Sequence, residues 1–214
     1  HLENSNITDV TPLQTMTNLK NLKLLGNDIK KNLYPLQALH RNLQNLWLSN
    51  NKLTDVTPLK ALINLKELRL NRNRISDITP LKTLTKLTDL RLYCNYITDV
   101  TPLKAMTNLQ TFGIYKNPLN DITPISALTN LLNLGMQYCN ITDITPLQTL
   151  LNLQNLYLEG NHIKDITSLQ ALLNLQNLYL EGNLITDLNP LKGLIQLKIL
   201  NLGNNHITDL NPLK

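Results

Sequence analysis

The sequence predicts an α/β solenoid, a right-handed arc with a parallel β-sheet on its concave face and 3₁₀ or irregular return segments on its convex face. The first observation behind this fold class is internal repetition, because residues 152–173 and 174–195 are closely similar at a period of 22 residues. The second is apolar spacing, since an alternating L-x-L segment precedes a D-I-T-P-L type segment in each period. One such coil cannot bury its own leucines, so neighbouring coils must stack and align their strands.

A marker residue at the bend after each L-x-L segment sets the register of the coils. The markers are Ser5, Asn27, Asn51, Asn73, Asn95, Asn117, Cys139, Asn161, Asn183 and Asn205. They lie 22 residues apart except for one step of 24, and the unit L-x-x-L-x-L-x-x-N/C-x-I-x-D-I-x-P-L-x-x-L-x-x is the pattern of leucine-rich repeats. We expect a continuous sheet from about Leu22 to Leu202. The two extra residues of the long unit fall outside its strand, which predicts a convex bulge, such as a helical turn, near residues 30–42.

Composition favours a folded chain over a disordered or membrane-spanning one. The 214 residues include 51 Leu and 31 Asn, and 42% hydrophobic content with a net charge of +5 supplies a core without strong self-repulsion. No apolar run approaches the roughly 20 residues that a membrane span needs, so no membrane insertion is expected.

The return segments carry a more specific resemblance. Asp77–Leu81 and Asp143–Leu147 read D-I-T-P-L and resemble the internalins, bacterial surface proteins with short leucine-rich repeats of the SDS22-like class. The resemblance implies an extracellular or cell-surface protein that grips a protein receptor with its concave sheet. It also implies terminal caps, which this sequence lacks, so we expect residues 1–214 to form a single leucine-rich repeat domain of about nine to ten repeats within a longer protein. An intracellular, cytoplasmic scaffold or phosphatase-regulating subunit of the SDS22 type is the alternative.

The regular polar columns have structural explanations. The marker amides can donate to and accept from backbone groups of adjacent coils, and an Asp precedes nine of the return segments, where it can cap the turn. Cys94 and Cys139 lie two coils apart, about 10 Å at ~4.8 Å per strand, which is too far for a disulfide. No nucleophile motif, phosphate-binding loop or metal-ligand spacing occurs, so we expect no enzyme activity, no metal site and no cofactor.

Aromatic residues concentrate at the outward strand positions. Leucines take the buried face, whereas the only Trp and five of the seven Tyr fall on alternating outward positions. Trp, Tyr and Arg are the residue types most enriched at binding hot spots, so this face is predicted to bind a protein partner. The predicted partner-binding residues are Trp47, Arg69, Arg91, Tyr93, Tyr115, Tyr138, Tyr157, Glu159, Tyr179 and Glu181.

Two glycines in successive coils predict an anchor pocket in this surface. Each removes a side chain where its neighbours carry large ones, which leaves a shallow depression with aromatic walls. The glycines are Gly113 and Gly135, and the predicted walls are Tyr93, Tyr115 and Tyr138 on one flank and Tyr157 on the other.

Charge is divided unevenly along the chain. Residues 1–116 carry 16 basic and 8 acidic side chains, whereas residues 117–214 carry 4 basic and 7 acidic ones. A polar protein partner oriented by complementary charge is therefore expected, bound to a monomer. Nucleic-acid binding by Arg69, Arg72 and Arg91 is a second possibility that the acidic half disfavours. A structural spacer with an inert concave face is a third, which the aromatic row disfavours.

Overall fold

The computed structural model of the protein describes residues 1–30 and 32–214, in which nine strands form one parallel sheet in sequential order. The strands are β1 Asn21–Lys23, β2 Asn45–Trp47, β3 Glu67–Arg69, β4 Asp89–Arg91, β5 Thr111–Gly113, β6 Asn133–Gly135, β7 Asn155–Tyr157, β8 Asn177–Tyr179 and β9 Ile199–Asn201. Each strand pairs in register with the next, so the middle residues stack in one column from Leu22 to Leu200. The predicted solenoid with a continuous parallel sheet is confirmed.

The return segments are short 3₁₀ helices on the convex side. The helices are η1 Thr11–Thr15, η2 Tyr34–Leu39, η3 Thr57–Ala61, η4 Thr79–Thr83, η5 Thr101–Ala105, η6 Thr123–Ala127, η7 Thr145–Thr149, η8 Thr167–Ala171, η9 Asn189–Leu191 and η10 Asn211–Leu213. A proline occupies the first turn of every helix except η8, where Ser168 replaces it. Proline suits this place because its fixed φ matches the helix and its missing N–H leaves no donor unpaired.

The core is one continuous column of aliphatic side chains between the sheet and the return helices. Within a single coil Leu65, Leu68, Leu70, Ile75 and Leu81 are all fully buried, and the other inner coils repeat the arrangement, whereas the last coil is only partly buried. Each coil thus buries its apolar side chains against the coils before and after it, as the repeat pattern predicts. Among the described residues, no helix combines the length and hydrophobicity that crossing a bilayer requires.

The long second coil absorbs its extra residues outside the sheet. Leu46 still pairs with Leu22, and the extra length is taken up around η2, which spans six residues where most of the other return helices span five. The expected unbroken ladder and helical turn are confirmed, although Lys31, which belongs to this stretch, lies outside the described residues.

The marker asparagines form a buried ladder of hydrogen bonds along one edge of the sheet. The Asn73 amide donates to the carbonyls of Leu48 (3.0 Å) and Leu70 (2.8 Å). Its oxygen accepts the backbone N–H groups of Asn51 (3.1 Å) and Leu53 (2.9 Å). These backbone groups are buried between coils, and each of the two carbonyls accepts a second bond from a neighbouring marker asparagine, so the ladder is structural as the sequence predicts.

Cys139 interrupts this ladder. Its thiol lies 3.5 Å from the Ile114 carbonyl oxygen, and burial raises the pKa of the thiol to about 11, so it stays neutral. Sulfur is a poor acceptor, and the preceding coil changes its path: the N–H of Leu119 turns to the carbonyl of Asn117 (3.0 Å). Cys94 and Cys139 are both free thiols.

The aspartates before the return helices form a second repeated contact. All nine accept the backbone N–H of the residue two positions later, at 2.7–2.9 Å, and so close a tight turn before the helix. The hydroxyl of that following Thr, and then its backbone N–H, hold the pKa of several of these carboxyls below 3.8. The carboxyls with a lowered pKa are those of Asp9, Asp99, Asp121, Asp143 and Asp165.

We expect the aspartates that precede the return helices to make the stability of the fold depend on pH. A depressed folded-state pKa contributes stability above the ordinary Asp pKa, and that stability is lost as pH falls through 3.8 and below. The urea midpoint should therefore drop across this range. An Asp143→Asn, Asp165→Asn variant keeps the acceptor oxygens without the charge, so its midpoint should fall less steeply. Equal pH slopes for the parent and the variant would contradict the assignment.

Candidate functional site

The outward face of the sheet carries three columns of side chains, which we call the concave face. They are the first and third residues of each strand and the residue two places beyond the third. The sequence prediction used the last two columns and the residue that follows them, the position of Tyr138, and it missed the first column, although the same alternation of side chains points to it. The first column holds Asn21, Asn45, Glu67, Asp89, Thr111, Asn133, Asn155, Asn177 and Ile199.

Four tyrosines on the concave face form two parallel stacks. The rings of Tyr93 and Tyr115 are 4.3 Å apart at their centroids with 9° between planes, and those of Tyr157 and Tyr179 are 4.9 Å apart with 13° between planes. Successive coils place equivalent side chains about 4.8 Å apart, so the sheet spacing itself imposes face-to-face stacking. Each stack is a rigid, half-buried apolar wall, and desolvation raises the pKa of the Tyr115 and Tyr157 hydroxyls.

A depression of about 340 Å³ lies between the two stacks. Gly113 and Gly135 form its floor, and a Cβ on Gly135 would come within 3.1 Å of the Gln137 Oε1 atom. A larger residue at either position would begin to fill the space. The other lining residues are Arg91, Tyr93, Thr111, Phe112, Tyr115, Asn133, Leu134, Gln137 and Tyr157. The predicted aromatic depression over the two glycines is thus present.

Tyr138 does not line the depression, so the prediction that it forms part of an aromatic wall is wrong. Its backbone has φ of 54°, in the bend after the strand, and this turns the side chain out of the concave columns. The ring lies over Gly160, where an added Cβ would come 2.2 Å from the Tyr138 Cε1 atom. The ammonium of Lys116 sits 5.7 Å from the ring centroid. Tyr138 therefore covers the next bend and is separate from the two tyrosine stacks.

Trp47 is already covered on its ring by cations of its own chain. The Lys23 Nζ atom lies 3.7 Å and the Arg69 guanidinium carbon 4.0 Å from the ring centroid. Strands β1 and β3 flank β2, so the two cations approach from neighbouring coils on opposite sides. The ring has no free face on which a base or a partner side chain could stack, which weakens its predicted role in binding.

Two basic side chains of the first half, Arg69 and Arg91, are paired with carboxylates within the concave face. Arg69 binds Glu67 through Nε at 2.6 Å, and Arg91 binds Asp89 through two bonds of 3.0 and 3.1 Å. The bonds to Asp89 raise the pKa of Arg91 further above its usual value. Both carboxylates belong to the column that the sequence prediction missed. Of the three arginines predicted for nucleic-acid binding, two are therefore paired, which weakens that alternative, whereas Arg72 has no ion pair among the described residues.

The acidic side chains of the second half have no such partners. Within the described residues, neither Glu159 nor Glu181 forms an ion pair, and Glu181 accepts neutral amide bonds from Asn201 (2.9 Å) and Asn204 (3.1 Å). The Oε2 atom of Glu159 is buried without a hydrogen-bond partner. Burial, and then the charge of Glu181, raises the pKa of Glu159.

The sequence comparisons identify the repeat. The profile of leucine-rich repeats in two copies matches residues 41–83, 63–105, 129–171 and 173–214. These segments extend over more than half of the chain. That family consists of repeat scaffolds of the kind that serve as protein-interaction modules, with no enzyme family among the matches. No curated protein sequence matches the chain.

Solved structures with the same architecture show which leucine-rich repeat proteins the chain is similar to. An internalin (inlF) of Listeria monocytogenes is 35% identical with a TM-score of 0.86, over 99% of this chain and 68% of its own. Internalin C2 of the same species is 33% identical with a TM-score of 0.68, over 96% and 77%. A leucine-rich repeat protein of Leptospira interrogans is 30% identical with a TM-score of 0.88, over 95% and 54%. The chain therefore belongs to the leucine-rich repeat family, and within it to the internalin-like proteins.

Proposed function

We propose that the protein binds a protein partner through its concave face, with the aromatic depression as the anchor site. The observation that carries this proposal is the pair of tyrosine stacks on either side of a glycine floor. None of these four tyrosines supports the core, which is complete without them. They are also the residue type that contributes most to binding hot spots, because a Tyr ring offers a large contact area at little cost in rotamer entropy.

The geometry suits a macromolecular partner better than a small metabolite. Nine strands at about 4.8 Å spacing give a surface roughly 40 Å long, and the depression occupies only its centre. Stacking holds each ring in place before a partner arrives, so less side-chain entropy is lost on binding. The neighbouring charges, Arg91 on one side and Glu159 and Glu181 on the other, would orient the partner.

The internalin kinship supports a bacterial cell-surface or extracellular location, with a host or environmental receptor as the class of partner. We further propose that the domain acts as a monomer, because the apolar side chains of its inner coils are buried inside the solenoid. An intracellular scaffold or phosphatase-regulating subunit of the SDS22 type is the alternative. The compartment of the native protein, measured by fractionation with an antibody against this domain, separates the two.

The test is a Tyr115→Ala, Tyr157→Ala variant, one truncation in each stack. Truncation of an anchor residue at a desolvated centre costs about 2 kcal/mol or more, so affinity for a partner captured by the parent should fall at least about 30-fold. The melting temperature should stay near that of the parent, because both side chains project outward. A matched Lys82→Ala, Lys104→Ala variant on the convex side should bind normally. Undiminished affinity of the tyrosine variant would mean that the partner binds elsewhere on the protein.

A further inference from the structure

We propose that the depression receives a basic side chain of the partner, an arginine, whose guanidinium packs against Tyr157 and binds the carboxylate of Glu159. This proposal rests on the proposed function, since it names the chemistry of the group that the same site takes. It assigns a charged occupant to a site whose walls alone would suggest an apolar one.

Two neighbouring residues of the third concave column have unsatisfied polar atoms, and both atoms are acceptors. The Glu159 Oε2 and Gln137 Oε1 atoms are buried without a hydrogen-bond partner among the described residues. Gln137 lines the depression, and Glu159 occupies the equivalent position one coil further, about 4.8 Å along the same column. Such atoms are costly to bury unless a donor reaches them. The missing group is therefore one that brings several N–H donors and no acceptor, as a guanidinium does.

Charge complementarity points to the same occupant. On this side of the depression Glu159 and Glu181 have no ion-pair partner among the described residues. On the other side Arg69 and Arg91 are already paired with Glu67 and Asp89. The field at the Tyr157 end is accordingly negative. Burial and the charge of Glu181 both destabilise the Glu159 carboxylate, and an incoming cation would relieve both effects.

The aromatic walls favour a planar cation over a compact one. The chain already contains one guanidinium bound in this way. The Arg69 guanidinium lies 4.0 Å from the ring centroid of Trp47, and its Nε atom donates to the Glu67 carboxylate at 2.6 Å. An arginine entering the depression would repeat that arrangement with Tyr157 as the ring and Glu159 as the carboxylate. A planar guanidinium can stack flat on the ring while its edge offers two N–H groups to the carboxylate, whereas an ammonium has no flat face, which is why we name arginine and not lysine.

The test uses three tripeptides as probes, acetyl-Gly-Arg-Gly-amide and its citrulline and leucine counterparts. Citrulline keeps the shape of arginine but removes its charge. Titration of the ¹⁵N-labelled chain should give saturable shifts of the Gly113 and Gly135 amide signals with the arginine peptide, and at least about tenfold weaker binding of the other two. Glu159→Gln should weaken arginine-peptide binding about tenfold, whereas Asp187→Asn on the convex flank should leave it unchanged.

Each result decides the proposal. Stronger binding of the leucine peptide, equal binding of the citrulline peptide, or no saturable shift with the arginine peptide would overturn it. Glu159→Gln must also melt at or above the parent temperature, because it removes a buried unpartnered charge; a lower temperature would make Glu159 a structural residue. Failure here is distinguishable from failure of the proposed function, since the tyrosine variant is assayed with the captured partner and not with these peptides.

Discussion

Leu156→Ala is expected to lower the free energy of unfolding by about 2–5 kcal/mol. Leu156 is the fully buried centre of β7 and lies between Leu134 and Leu178 in the stacked column. Truncation removes packing contacts and leaves a cavity that the flanking coils cannot close, because the backbone hydrogen bonds of the sheet hold their spacing. The effect should spread through the array, since each coil depends on its neighbours for burial.

Urea denaturation followed by circular dichroism measures this loss. The matched control is Leu151→Ala in the same coil, where the side chain is 54% exposed and its removal should cost well under 1 kcal/mol. A loss for Leu156→Ala no larger than that of Leu151→Ala would mean that the column is not the source of stability.

Asn73→Ala should be about as damaging, at about 2–6 kcal/mol, although it removes a polar side chain. The substitution leaves the N–H groups of Asn51 and Leu53 buried without an acceptor. It also removes one of the two donors to each of the Leu48 and Leu70 carbonyls, which keep their bonds from the neighbouring marker asparagines. Each buried orphaned N–H costs about 1–3 kcal/mol, which sets the expected range.

The control for this variant is Asn130→Ala. Asn130 is exposed and donates a single bond to the Thr107 carbonyl at 2.9 Å, so water can replace it and the loss should stay below about 1 kcal/mol. The same denaturation assay compares the two. If the two substitutions cost the same, the marker asparagines are not the main polar connection between coils.

The concave face shows that the repeat pattern of the sequence does not predict which outward side chains form ion pairs. Periodicity places Arg69 and Arg91 on the outward side, and the sheet bears this out. Whether their charges are free depends on the side chains two residues earlier, and the structure shows that Glu67 and Asp89 neutralise them. The same is true of Trp47. The repeat predicts its position on the outward side, but its contact with two cations depends on the rotamers of Lys23 and Arg69.

The backbone conformation at Tyr138 determines the direction of its side chain. The sequence counts it one place beyond the third outward column, close to Tyr115 and Tyr157. The positive φ of 54° at this bend swings the side chain away from the depression and over Gly160. Arg72, Cys94 and Lys116 occupy the same place in their coils with similar positive φ values. A count of alternating positions holds only while the chain stays extended, and it fails at the first residue of the bend.

The repeat pattern predicts the solenoid, the register of its strands, the structural roles of the Asn and Asp columns and the glycine floor of the depression. These follow from a 22-residue period in which one coil cannot bury its leucines without the next, so the coils must stack in sequence. The pattern does not predict which outward side chains already have partners in neighbouring coils and which do not; the folded arrangement of the side chains reveals this. That distinction depends on atomic distances between coils, as for the ion pair of Arg91 and the unpartnered carboxylate oxygen of Glu159, and the repeat does not encode them.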